Sequence, residues 1–96
     1  LSYEQTVMAA FSDVSNASTA METASRTVEL RRDLRDAALE YVRLANVQYL
    51  EGALNYLDVL DAQRRYFDAQ IGLSNAIRDH YLALTALYKA LGGGWR

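Results

Sequence analysis

Residues 48–66 read QYLEGALNYLDVLDAQRRY, a helix-like pattern that halts at Gly52 and resumes within a few residues. The chain has no proline, and its other glycines sit only at 72 and 92–94, so this interruption divides the sequence into two arms. Gly52 suits the left-handed backbone that ends a helix, and Asn55 followed by Asp58 reads as an N-cap with a short acidic variant of the capping box. One helix ends, a second begins a few residues later, and the stretch is the tip of an antiparallel αα-hairpin.

Upstream of the tip, Val7, Val14, Met21, Val28, Arg35, Val42 and Tyr49 recur every seven residues, and Ala10, Ala17, Ala24, Arg31, Ala38 and Ala45 follow three residues behind. Downstream, Val59, Tyr66, Leu73, His80 and Leu87 form one row, and Ala62, Ala69, Ala76, Ala83 and Ala90 the other. Both arms therefore carry a heptad seam with one small row, which lets two helices approach closely. The expected fold class is all-α: a long antiparallel helical hairpin, a coiled coil, with helix 3–50, tip 51–55, helix 56–91 and a C-terminal tail 92–96. Ser2 with Gln5 is a candidate cap for the first helix, and the triple glycine is expected to stop the second, leaving Trp95 and Arg96 outside. If the small row of each arm faces the large row of the other, facing residues have numbers adding to about 104, as in Ala45 with Val59 and Val42 with Ala62; a slip of one heptad is the rival register.

The lengths are on the order of 70 Å and 54 Å, too long for a compact domain. Each arm also has a second apolar row, Leu30, Leu34, Ala37, Tyr41 and Leu44 on the first and Leu57, Leu60, Phe67, Ile71, Tyr81 and Tyr88 on the second. A lone hairpin cannot cover these rows, so further helices are required. The chain starts at Leu1 rather than methionine and is expected to be a piece of a longer protein. In isolation it is expected to self-associate into a helical bundle, most simply a homodimer.

The composition is 51% hydrophobic and 23% charged, which argues for order rather than a disordered tail. A formal charge of -2 leaves no electrostatic footprint for nucleic acid or an anionic membrane surface. No run approaches the roughly 18 apolar residues of a membrane span, and no signal peptide is visible. The absence of cysteine removes disulfide and thiolate chemistry. His80 is the single histidine and has only Asp79 beside it, so no metal site and no cofactor are expected. There is no set of nucleophile, base and orienter and no phosphate-binding loop, so the chain is not read as an enzyme.

Three elements in order carry a family likeness: Tyr49, Leu50, Glu51, Gly52; then Tyr56, Leu57, Asp58, Val59, Leu60, Asp61, Ala62, Gln63; then Leu87 through Gly94 and Trp95. With the weaker Tyr3 to Val14 segment, the chain resembles the C-terminal repeat of the TolC-like outer-membrane efflux proteins. The resemblance implies a trimeric channel with a β-barrel in the outer membrane and an α-helical barrel in the periplasm, of which this chain is one hairpin. It implies that Gly52, Ala53 and Leu54 form the tip where the periplasmic adaptor (membrane fusion) protein of a tripartite pump docks, with an inner-membrane transporter as the third component. It places Leu57, Asp58 and Asp61 in rings that constrict the mouth, with Arg64 one turn on from Asp61, and matches Tyr49 to a position that links neighbouring coils in the closed state. The family often has valine before the glycine, where this chain has Glu51.

Simpler readings stand beside these. Asp58 is a first-turn acid near the positive end of a helix dipole, and Asp61 with Arg64 and Arg65 at i+3 and i+4 has the spacing of a surface ion pair. Arg31 and Arg35, in the core rows, either face a water-filled lumen, the favoured reading, or snorkel toward Asp33, Asp36 and Asp68. The alternative for the whole chain is a soluble coiled-coil scaffold that binds a partner helix and transports nothing.

Overall fold

With no proline to interrupt it and good helix formers along most of its length, the first arm forms α1, Ser2–Leu50, and the second forms α2, Tyr56–Gly93. The structure, a computed structural model, describes residues 2–93, and no strand occurs among them. The helices lie side by side in a rod of 75 × 13 × 13 Å, a long dimension that matches a straight helix of 49 residues at about 1.5 Å per residue. The radius of gyration is 21.4 Å, against roughly 12.5 Å for a compact domain of this length.

The seam follows the heptad reading. Ala45, Val59 and Ala62 form a buried cluster with Val42 and Leu54 packed on it, and Leu73 and Ala76 are buried further along. Val42 opposite Ala62 and Ala45 opposite Val59 agree with the expected register, and so does the placing of Arg31 against Gly72 halfway along the rod. The one-heptad slip is excluded. The alanine row of α2 is buried or half-buried throughout, so small residues meet larger ones across the seam.

Three members of the expected rows are exposed instead. Val7 lies on the stretch of α1 that extends past Gly93, the end of α2, where in this register no described residue of α2 faces it. Tyr49 sits where the seam ends at the tip. Arg31 leaves the seam because a buried guanidinium without a paired anion costs far more than an exposed one; Arg35 stays half-buried and bonds Asp36 through Nε and Nη2 at 3.0 and 2.8 Å. The second apolar rows, by contrast, are exposed along both arms as anticipated.

Two local details differ from the sequence reading. α2 runs on through Gly92 and Gly93, past the expected end at residue 91, since a helical glycine is a penalty of only about 1 kcal/mol and not a stop unless the backbone turns left-handed. The tail residues Gly94, Trp95 and Arg96 lie outside the described residues. α1 takes in Ser2 itself, which is helical and not flanking.

Candidate functional site

The chain leaves α1 through two backbone bonds. The Gly52 amide donates to the Tyr49 carbonyl at 3.0 Å and the Ala53 amide to the Gln48 carbonyl at 2.8 Å, the paired arrangement of a Schellman motif. Its left-handed residue is Gly52, at φ 81°, the only described residue with positive φ. Re-entry is fixed by Asn55, whose Oδ1 accepts the Asp58 amide at 3.1 Å. The return bond that would complete a capping box is absent among the described residues; the aspartate side chain is one methylene shorter than the glutamate of the full motif.

These constraints place the candidate residues differently. Gly52 and Ala53 are exposed at the apex, but Leu54 is half-buried and folds back over the Ala45, Val59 and Ala62 cluster, closing the end of the core. Leu57 is 73% exposed on the first turn of α2. Tyr49 packs its ring against Tyr56, with centroids 5.6 Å apart and planes tilted by 59°. Tyr56 enters the sequence reading only as part of a family motif, with no contact assigned to it, although the register that pairs Val42 with Ala62 brings it opposite Tyr49.

Asp58 and Asp61, three residues apart, share one face of α2. Their charges are handled oppositely. Asp61 accepts from Arg64 Nη2 at 3.2 Å through Oδ1 and from Arg65 Nε at 2.9 Å through Oδ2. One carboxylate between two guanidiniums leaves that trio with a net positive charge. Asp58 has no cationic partner among the described residues, and its carboxylate stands free at the helix start, where the dipole favours it. The shorter contact is to Arg65, not Arg64; the favourable order of an acid four residues before a base is the signal that points to it. Away from the tip, His80 is half-buried with its ring 6.1 Å from that of Tyr81. No described helix is long and apolar enough to cross a membrane.

The tip geometry coincides with a match along almost the entire chain: the family described as outer membrane efflux protein covers residues 1–93. The chain belongs to the outer membrane efflux protein family. It is 44% identical over 96 residues to the probable efflux pump outer membrane protein TtgC of Pseudomonas putida, covering 97% of this chain and 19% of that protein. It is 39% identical over 93 residues to the solvent efflux pump outer membrane protein SrpC of Pseudomonas putida, covering 97% of this chain and 20% of that protein. Outer membrane protein OprJ of Pseudomonas aeruginosa is 38% identical over 93 residues, covering 97% of this chain and 19% of that protein. The chain thus spans about a fifth of the length of these relatives. No solved structure matches it.

Proposed function

We propose that this hairpin is one stave of the periplasmic α-helical barrel of a trimeric outer-membrane efflux channel, and that its tip forms the periplasmic mouth. There the periplasmic adaptor protein docks on Gly52 and Ala53, joining the channel to an inner-membrane transporter. The observation that carries this reading is that the hairpin is well formed and yet leaves its outer rows bare. A compact monomer of 10.8 kDa exposes about 5,500 Å², whereas this chain exposes 7474 Å². The difference is about twice the roughly 800 Å² that one partner contributes to a standard interface, which suits a stave flanked by helices on more than one side. Two of the relatives, TtgC and SrpC, are named as efflux pump outer membrane proteins, which supports the same reading.

At the mouth, the face of α2 that carries Asp58 and Asp61 lines the passage, and Leu57 narrows it. A threefold ring of Asp58 carboxylates favours cations, while the Asp61 trio tethers its turn through charged hydrogen bonds. Tyr49, held on Tyr56, steadies the end of α1 in the closed state.

The test replaces Asp58 and Asp61 together with alanine in the full-length channel and records currents in a planar bilayer. Asn55 still caps α2 and alanine is a good helix former, so the helix survives. The resting conductance should rise and cation selectivity should fall, the more so because Arg64 and Arg65 lose their counter-ion. Unaltered conductance and selectivity, with expression and trimer intact, would return the chain to a scaffold role.

A further inference from the structure

Arg31 stands apart from the other seam residues. It belongs by position to the small row of α1, yet it is exposed, and no hydrogen bond or ion pair holds its guanidinium among the described residues. It lies instead across α2 at Gly72: a Cβ built there would sit 3.4 Å from Arg31 Nη1 and 3.7 Å from its Cδ. The arginine rests across the helix there, at a distance where an added Cβ would make ordinary van der Waals contact. Which side of the rod this contact faces follows from spacing. Asp58, Asp61, Arg65, Asp68, Gly72 and Asp79 succeed one another at intervals of three, four or seven residues, one stripe on one face of α2. Asp79 lines a groove with Thr23 and Thr27 of α1, and Arg31 comes one turn after Thr27 on that same edge. The guanidinium therefore shares the face of the hairpin that carries Asp58 and Asp61, about 16 Å further along α2 than Asp61.

We propose that Arg31, seated on Gly72, is a fixed cation on the lumen wall that sets the charge selectivity of the channel above its mouth. This rests on the channel reading above, in which the Asp61 face lines the passage. Three such guanidiniums at one height hold small anions and anionic solutes and repel cations, on a stripe of α2 whose nearest other charges are Asp68, Asp79 and the Asp61-bound Arg65. Their freedom from carboxylate partners leaves the charge available to solutes.

The segment contains no cysteine, which permits a direct test by Arg31→Cys in the full-length channel, with any cysteine outside residues 1–96 changed to serine. In a planar bilayer under a salt gradient, Arg31→Cys should raise the cation-to-anion permeability ratio about two-fold, an effect limited by screening over roughly 10 Å. A cationic methanethiosulfonate should restore the original ratio, an anionic one should raise it further, and Arg31→Lys should retain it. A conducting Arg31→Cys channel whose selectivity matches the parent's, or whose selectivity ignores both reagents while mass spectrometry shows complete labelling, overturns the proposal. Failure to label at all overturns it too, since the position would then not face water. Loss of the channel reading is distinguishable, because the unmodified protein itself would then carry no current.

Discussion

Gly52 and Gly72 are both single glycines, and only the first needs to be one. A Cβ at Gly52 would meet nothing within 4 Å, so space does not demand the residue; its φ of 81° does. Gly52→Ala is therefore expected to destabilise the hairpin by about 1–2 kcal/mol, the cost of the left-handed region for an L-residue. Gly72 has ordinary helical backbone, and a Cβ there would make only normal contact with the movable end of Arg31. Gly72→Ala should stabilise by about 0.5–1 kcal/mol through helix propensity. Thermal unfolding at matched protein concentration reads both, and shifts of the same sign would refute the distinction. The turn chemistry at Gly52 was legible in the sequence because it is local. The contact at Gly72 was not, since it depends on a side chain arriving from the other helix. Charge at this scale is mostly local too: Glu40 accepts from Arg43 Nε at 3.0 and 3.1 Å, and that hydrogen bond holds its carboxyl below the usual range. A lowered value means that the pair's contribution is present at neutral pH and is lost as the pH falls through it, and full exposure keeps the contribution small.

Between the helices, period decides the outcome. A seven-residue repeat places the same two rows inward along the entire overlap, which is why the hairpin, its register and nearly all of the seam were readable from residue order alone. What the pattern could not convey is where charge overrides it, as at Arg31, or where the partner helix ends, as at Val7. The tightest layer is the one nearest the tip, where Ala62 is 0% exposed against Val42, Ala45 and Val59. Ala62→Leu should overpack it and cost about 1–3 kcal/mol, whereas Ala86→Leu, on the exposed side of the same helix, should cost little. Equal melting temperatures for the two variants would mean that the small row does not set the approach of the helices. Asn55→Ala tests the same junction from the backbone side: loss of the bond to the Asp58 amide should cost about 1 kcal/mol. The docking and constriction roles of the tip residues come from family likeness alone, because a hairpin seen without its neighbours has the same caps whether or not it gates a channel.

Taken as a whole, the molecule is a rod with a single narrow seam, and its outer surface determines how it behaves when separated from flanking helices. Leu30, Leu34, Tyr41 and Leu44 on α1 and Leu60, Phe67, Ile71, Tyr81 and Tyr88 on α2 are all exposed, and so are Val7, Met8 and Phe11 near the start of α1. At about 25 cal/mol per Å² of apolar area, covering even part of the roughly 1,900 Å² by which the rod exceeds a compact monomer outweighs the charge repulsion of a chain carrying only -2. Association pairs identical surfaces most simply through a twofold axis, and two antiparallel hairpins then make a four-helix bundle. The isolated hairpin is accordingly expected to sediment as a dimer or larger species at high protein concentration. Placing glutamate at both Phe67 and Tyr81 should return it to the monomer while leaving its helical content at moderate temperature nearly intact, because neither residue belongs to the seam. A stable monomer of the unmodified hairpin under the same conditions would show that its exposed rows do not drive association.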